Sequence, residues 1–349
     1  RIKQAIELND ALKLINTTKD SYETDQIRIN VLQQSKLSPG KWNIFLRAPY
    51  IYQRIIQNPK IKPLGSVAQV FRGAVTGYND YFIISKETAE DWKIENRFLK
   101  PCISSPKKIS GIIIRRDEVK EYFFMVDKPR NEIGGTNALR YIEHGEKLVV
   151  DVTRGSRRGR RRLPELETLK EREPWYTLPS VPEPTILFPY MVRNRFMVFY
   201  NDARAHAPNV FHYIIAGSVD DGMILAGYLN SSVSKLLCEL QGRQYTGMLK
   251  IEAYELKNLA VIDPALSNAQ EKGRVIDSFK NLAISVEARV HVEGEIERVK
   301  SMTGKEKGLF ETELEEELKH AVTEERKAQN RLDQAIYDIL GLSKQERIQ

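Results

Sequence analysis

The sequence predicts an α+β fold, in which a mixed, largely antiparallel sheet is followed by a long helical hairpin. Between residues 63 and 267, short runs of apolar and β-branched residues recur, and helical segments interrupt them. This order lacks the regular strand–helix alternation of a doubly wound fold, so it favours a mixed sheet. From residue 268 onward, apolar residues recur at spacings of three and four among many charges, which predicts paired helices.

Residues 1–62 are predicted to be the end of one domain and a linker. Apolar residues at helical spacing from Ile2 to Ile15 predict a first helix. A strand-like run follows at Ile27–Leu32. A second helix is predicted to begin at Pro49, because proline suits the first turn of a helix.

Residues 63–267 are predicted to form the α+β body. Its two longer helical patterns cover Thr136–Leu148 and Asp220–Leu240. The predicted strands are Val67–Phe71, Tyr81–Ile84, Ile109–Ile114, Tyr122–Val126, Ile186–Phe188, Phe196–Tyr200 and Leu259–Ile262.

Residues 268–349 are predicted to form the helical hairpin, with a break near Gly304. Its first helix carries an apolar stripe that includes Phe279 and Val286, and its second helix carries one that includes Leu332. The hairpin is either a spacer or dimer arm, or it packs back onto the body, and the pattern favours neither. A homodimer through these helices is therefore one expectation.

Positive charge is concentrated in one segment of the body. The whole chain carries 54 Lys and Arg against 47 Asp and Glu, a net charge of +7. Lys100–Arg162 alone holds 16 basic and 8 acidic residues, a net of +8. A basic patch within a folded chain indicates a polyanionic partner. The pattern does not distinguish DNA from RNA.

The centre of this patch is an arginine-rich segment that is predicted to lack fixed secondary structure when free. Its six arginines repel one another, and two glycines make the segment flexible. Arginine offers a planar fork that suits phosphate and the edge of guanine, and most such contacts reach phosphates. The candidate DNA contacts are Arg154, Arg157, Arg158, Arg160, Arg161 and Arg162.

A second candidate is Gly73–Phe82, which is predicted to be a loop between two strands. Gly77 and Asn79 are the residues here that most readily take a positive φ. Backbone N–H groups left free on such a bend can bind phosphates or base edges. The candidate contacts are Thr76, Tyr78 at the predicted tip, and Asn79.

Two further segments combine arginine with amide side chains. One is predicted to be the tip of a hairpin between two apolar strands, and the other follows the second long helical pattern. Arginine binds guanine, and Asn or Gln binds adenine, in the major groove. The candidate base contacts are Arg193, Asn194, Arg195, Gln241, Arg243 and Gln244.

The sequence predicts no catalytic and no metal-binding residues in this chain. Its five histidines fall at no metal-ligand spacing, and its two cysteines form no Cys-x-x-Cys motif. Two isolated cysteines suit a reducing cytoplasm, which is the predicted location. No apolar run is long enough to span a bilayer.

Several of these segments together, in this order, resemble the C-terminal target-recognition half of TaqI-type N6-adenine DNA methyltransferases and of the restriction-modification proteins related to them. The resemblance extends from about residue 64 to residue 342. The matching pieces are Gly73–Phe82, Arg97–Pro101, the arginine-rich segment, Arg172–Tyr176, Phe196–Asn201, Pro208–Phe211, Gly227–Ser232, Gly242-Arg243 and Leu332–Leu342.

The resemblance implies sequence-specific binding of double-stranded DNA by a chain that does not itself methylate it. The family's Asn/Asp-Pro-Pro-Tyr catalytic motif is absent, and Phe71-Arg72-Gly73 only begins the Phe-x-Gly-x-Gly motif for S-adenosylmethionine. The chain begins with Arg1, and we expect the cofactor and the chemistry to belong to an upstream catalytic domain, its partner, of which residues 1–62 are the tail. The alternatives are a DNA-binding and assembly module like a specificity subunit, and a protein-interaction module built on the C-terminal helices.

Overall fold

The computed structural model confirms an α+β fold with a long C-terminal helical hairpin. It describes residues 7–19, 22–23, 26–29, 31, 44, 48–152, 158–178, 181–193, 195–245, 247–301 and 307–347.

The helices range from single turns to the two long helices of the hairpin. They are α1 (Leu8–Thr17), α2 (Tyr50–Ile56), α3 (Leu64–Val67), α4 (Asn79–Phe82), α5 (Lys86–Asp91), α6 (Asn137–Lys147), α7 (Val219–Leu229), α8 (Ser232–Gln241), α9 (Ala253–Lys257), α10 (Ala269–Ser301), α11 (Lys307–Leu340) and α12 (Lys344–Arg347). Short 3-10 turns lie at Asn96–Phe98, Pro106–Lys108, Arg116–Glu118, Arg130–Glu132, Leu163–Glu165 and Pro264–Leu266.

The strands are short. They are β1 (Tyr22–Glu23), β2 (Arg28–Ile29), β3 (Ile61–Pro63), β4 (Gln69–Arg72), β5 (Ile83–Ser85), β6 (Leu99–Cys102), β7 (Ile113–Ile114), β8 (Glu121–Phe124), β9 (Val149–Val152), β10 (Gly159–Arg162), β11 (Ile186–Pro189), β12 (Met191–Val192), β13 (Phe199–Asn201), β14 (Phe211–Ile215), β15 (Arg243–Tyr245), β16 (Met248–Lys250) and β17 (Ala260–Ile262).

A five-stranded sheet in the order β4-β14-β11-β13-β7 is the centre of the body. Its neighbouring strands are antiparallel except for β13 and β7, which run parallel. The prediction of a mixed, largely antiparallel sheet is therefore confirmed. Two three-stranded sheets, β5-β8-β6 and β12-β16-β15, flank it.

Apolar side chains form three clusters around these sheets. The first core lies on one face of the five-stranded sheet, where Ile186 and Ile214 pack with helices α7, α8, α10 and α11. The second core surrounds β5-β8-β6 and α6, with Phe123 and Ile142 at zero exposure. The third and smallest core covers the opposite face of the five-stranded sheet, around Tyr213.

The base of the helical hairpin is part of the first core. Phe279 of α10 and Leu332 of α11 are fully buried there. A Cβ on Gly227 of α7 would lie 3.3 Å from the Cβ of Phe279, so glycine permits close packing of α7 against α10. The base of the hairpin therefore packs onto the body, which was one of the two alternatives. The domain boundaries at residues 62 and 267 remain predictions.

Several elements differ from the sequence prediction, and two of them affect longer segments. The pattern Asp220–Leu240 forms two helices, because Asn230 bonds to the backbone of Val198 and Ser231 caps α8 by accepting the N–H of Ser234. In the predicted strand at 81–84, Tyr81 and Phe82 belong to the turn α4, and β5 begins at Ile83.

Candidate nucleic-acid interface

The arginine-rich segment contains a strand that the sequence pattern does not predict. β10 pairs antiparallel with β9, placing Arg160 opposite Asp151 and Arg161 opposite Val150. The pairing is anchored at its end by the fully buried Leu163, whose N–H bonds to the carbonyl of Leu148. This packing overrides the weak strand preference of a segment rich in glycine and arginine.

The pairing separates the arginines onto two faces of the β9–β10 ribbon. Arg160 and Arg162 share the exposed face, whereas Arg161 shares the face of the buried Val150 and is half-buried. Arg160 lies 3.7 Å from Asp151, and both side chains are well exposed, so this ion pair contributes little stability. Arg158 precedes the strand and is exposed, while Arg154 and Arg157 lie outside the described residues.

The predicted loop at Gly73–Phe82 is fixed by hydrogen bonds and is partly buried. Thr76 is only 3 % exposed, and its hydroxyl donates to the side-chain oxygen of Asn79. Arg172 donates to the carbonyls of Val75 and Thr76, both at 2.9 Å. The Thr76 side chain therefore faces inward, and its expected contact with DNA stays a prediction.

The two other candidates in this loop have different environments. Tyr78 is not an exposed tip, because it is half-buried against the second core. Asn79 is exposed but begins α4 without a positive φ. The positive φ predicted for Gly77 is confirmed at +82°, and a Cβ there would lie 2.7 Å from the side chain of Leu169.

Three of the remaining candidates, Arg193, Arg243 and Gln244, lie in or beside the three-stranded sheet β12-β16-β15. Met191 pairs with Lys250, which pairs with Arg243. In the next row, Val192 pairs with Leu249, which pairs with Gln244. Successive side chains of a strand point to opposite faces, so these two rows lie on opposite faces of the sheet.

We call the face that carries Arg243 the outer face. Lys250 lies on it as well. Arg193 follows β12 and lines a cleft together with Gln244, and its Nε is 3.0 Å from the sulfur of Met248, which lies on the outer face. Tyr245, which pairs with Met248, is 51 % exposed on the same face. Three cations and an accessible ring are therefore brought together from two segments that are distant in sequence.

Lys250 is fixed at the centre of the outer face. Its ammonium lies 4.9 Å from the ring centroid of Tyr190 and 5.9 Å from that of Tyr245. It also forms a 2.8 Å ion pair with Glu252. This bond to Glu252, followed by the one to Tyr190, raises the pKa of Lys250, so the side chain stays charged at neutral pH.

The other candidates of this region lie elsewhere. Gln244 is on the opposite face and lines a cleft of about 230 Å³ with Lys235 and Glu239. Gln241 ends α8 and is half-buried. Arg195 forms an ion pair with Glu293 of α10, and Asn194 lies outside the described residues.

Two residues of the site, Lys250 and Tyr245, were not predicted from the sequence. A signal was present, because Gly247 lies between the short segments Arg243–Tyr245 and Met248–Lys250 and takes a φ of +69° in the turn that joins β15 to β16. Glycine in a two-residue turn between such segments predicts a β-hairpin. That hairpin would have placed Lys250 beside Arg243.

These geometries give two cationic surfaces, the β9–β10 ribbon and the outer face of β12-β16-β15, on a mixed-sheet body with a helical hairpin. Such surfaces are typical of a protein that binds a polyanion. The chain belongs to the family of the C-terminal domain of type II methyltransferase M.Eco57I, whose family model matches residues 43–295.

This chain is similar to two further proteins. Type II methyltransferase M.AccI of Acinetobacter calcoaceticus is 25 % identical over 293 residues, which cover 80 % of this chain and 50 % of that protein. The chain thus spans about half the length of this curated relative. The crystal structure of the type IIG restriction endonuclease BpuSI matches 82 % of this chain and 32 % of its own, with 14 % identity and a TM-score of 0.48.

The segment that begins like the family motif for S-adenosylmethionine is part of the central sheet. Phe71 and Arg72 belong to β4, and a Cβ on Gly73 would clash with the carbonyl oxygens of Pro208 and Phe211. Glycine at position 73 therefore permits a close contact between two backbone segments. Among the described residues, no group of His, Cys, Asp and Glu is arranged to hold a metal ion, and no described helix has the length and apolar character to cross a membrane.

Proposed function

We propose that this chain is the sequence-specific DNA-recognition part of an N6-adenine methyltransferase in a restriction-modification system. The observation that carries the proposal is the outer face of β12-β16-β15, where Arg243, Lys250 and Tyr245 converge and Arg193 contacts Met248. A two-stranded β-ribbon such as β15–β16 fits the major groove of B-DNA, where arginine binds guanine edges. Membership of the methyltransferase family supports DNA as the polyanion.

The β9–β10 ribbon has a separate role in this proposal. Arg158, Arg160 and Arg162 are exposed and present no shape that selects one base over another. Contacts of such arginines with phosphates supply affinity that does not depend on sequence. Methylation of a flipped adenine belongs to a catalytic domain of the parent protein, which binds S-adenosylmethionine.

The test is binding of this chain to random-sequence duplex DNA at two salt concentrations, with duplex RNA as the control. We expect salt-sensitive binding that prefers DNA, followed by enrichment of one sequence when tight binders are selected from a random pool. Equal binding of DNA and RNA, or a pool that stays random, would contradict sequence-specific recognition of DNA.

The alternative of a protein-interaction module on the C-terminal helices needs a different test from deletion. Removal of residues 268–349 would also remove Phe279 and Leu332 from the first core. Substitution of the exposed Ile284 by glutamate leaves that core intact. Sedimentation of the wild type and of Ile284→Glu tests the predicted homodimer through these helices.

A further inference from the structure

Two neighbouring residues of α9 contact the guanidinium of Arg243 and hold it in place. One of its terminal nitrogens donates to the hydroxyl of Tyr254 at 2.7 Å. Its Nε lies 3.6 Å from the carboxylate of Glu255. Nevertheless, 48 % of the Arg243 side chain is exposed on the outer face of β12-β16-β15. The guanidinium is therefore oriented but accessible.

Glu255 is an unusual partner because its side chain is only 3 % exposed. Its carboxylate accepts the N–H of Glu252 at 2.9 Å and the hydroxyl of Tyr254 at 3.1 Å. A buried carboxylate needs a cation and hydrogen bonds to offset its desolvation. Glu255 thus holds Arg243 at one place in the sheet, whereas the Nε of Arg193 lies against a methionine sulfur, which is a weak acceptor.

We propose that Arg243 is the residue that selects a guanine in the recognition sequence, and that Tyr254 and Glu255 are its positioning residues. A guanidinium has five N–H donors, so the contacts behind Arg243 leave donors for the O6 and N7 acceptors of a guanine edge. Lys250 and Tyr245 flank it on the same face. This inference rests on the proposed function, since it assumes that the outer face meets DNA.

Phosphate is the other ligand that offers paired acceptors to an arginine fork. The orientation of the Arg243 side chain distinguishes a phosphate from a guanine edge. A phosphate contact tolerates a mobile side chain, whereas a base contact requires the side chain to point in a fixed direction. The support from α9 therefore favours a base edge. Phosphate binding by Arg243 becomes an outcome of the test.

The test compares sequences selected from a random duplex pool by wild type, Arg243→Lys and Tyr254→Phe. Lysine keeps a cation beside Glu255 but lacks the fork, so folding is retained and bidentate binding is abolished. We expect the wild type to enrich guanine at one position, and Arg243→Lys to reduce that preference by roughly 5- to 150-fold with the other positions unchanged. Tyr254→Phe should weaken the same preference by a smaller factor without changing the salt dependence.

A second measurement uses the selected site with 7-deazaguanine at that position, which removes the N7 acceptor. This base substitution in the DNA should weaken binding by the wild type but not binding by Arg243→Lys. Arg298→Ala removes an exposed arginine of α10, far along the chain, and serves as the matched control. Thermal unfolding of each variant confirms folding.

Three results would overturn the inference. Equal loss of affinity for all sequences in Arg243→Lys, with no change in base preference, would assign Arg243 to a phosphate. An unchanged preference in Arg243→Lys would remove it from recognition while the proposed function stands. A wild-type pool without any enrichment would overturn the proposed function and this inference together.

Discussion

Ser232 and Asp333 are 101 residues apart in sequence and are joined by two hydrogen bonds. The N–H of Ser232 donates to one carboxylate oxygen of Asp333 at 2.8 Å, and its hydroxyl donates to the other at 2.7 Å. Gln329 adds bonds to Asp333 and to the carbonyl of Asn230. The start of α8 is thus fixed to α11, and two segments that carried the family resemblance are in direct contact.

Loss of this connection should destabilise the chain. Asp333→Ala leaves the N–H of Ser232 without its acceptor in a half-buried place, at a cost of about 2 kcal/mol in the free energy of unfolding. Urea unfolding measures the change. Asp333→Asn keeps one acceptor oxygen and should therefore lose less stability. Equal losses of stability in the two variants would contradict the role of these hydrogen bonds.

Glycine at position 242 should be required for the placement of β15. A Cβ there would lie 2.6 Å from the side chain of Leu249 and 2.9 Å from the carbonyl oxygen of Cys238. Gly242→Ala should therefore destabilise by about 1–3 kcal/mol, as overpacking does, and should weaken DNA binding.

The matched control for this glycine is Gly273, in α10, where a Cβ meets nothing within 4 Å. Gly273→Ala should stabilise the chain by about 0.4–1 kcal/mol, because alanine restricts the unfolded chain. Thermal unfolding and DNA titration of both variants make the comparison. A Gly242→Ala protein with wild-type stability would show that the strand can shift to admit the methyl group.

The arginines of the β9–β10 ribbon should govern the salt dependence of DNA binding. Replacement of Arg158, Arg160, Arg161 and Arg162 by alanine should lower the affinity for all sequences alike. The slope of log K against log salt should fall by about 0.9 for each phosphate that the variant no longer neutralises. Replacement of the same four by lysine keeps the charge and should preserve most of the slope. Equal slopes in wild type and the alanine variant would exclude the ribbon from DNA binding.

Stability should decrease in mildly acidic solution because of two buried histidines. Burial lowers the pKa of His206 and of His212 below the ordinary value of 6.5. Below pH 6.5 the unfolded chain binds protons that the folded chain does not. Each histidine then removes up to about 1.4 kcal/mol of stability per pH unit, until the pH reaches its folded pKa.

Urea unfolding at pH 7.5 and at pH 5.5 measures this effect. His206→Gln should reduce the difference between the two pH values. His320→Gln replaces an exposed histidine and is the control. A pH difference unchanged by His206→Gln would show that other groups cause it.

Local signals in the sequence predicted much of the fold, and long-range contacts account for most of what they missed. The positive φ of Gly77 and the helix at α6 follow from residue type and spacing. The strand β10 does not, because only its partner β9 and the buried Leu163 make an arginine-rich segment extended.

In the candidate site, too, local signals identified some residues, and long-range contacts determined the rest. The sequence identified Arg193 and Arg243 by residue type, but the pairing of β12 with β16 depends on contacts between distant segments. That pairing decides which side chains share a face, so Gln244 was grouped with Arg243 although the two point in opposite directions. Tyr254 and Glu255 gave no signal, since their role depends on a contact with Arg243 across the fold.

The two cationic surfaces are anchored in different cores, the β9–β10 ribbon in the second through Val150 and Leu163, and the sheet β12-β16-β15 in the first through Val192 and Leu249. Substitutions beneath one surface therefore need not disturb the packing under the other. Under the proposed function, the affinity for DNA and the choice of target sequence can therefore change independently in evolution. Under the same proposal, exchange of the sheet β12-β16-β15 between relatives should change the target sequence while the general affinity for DNA is retained.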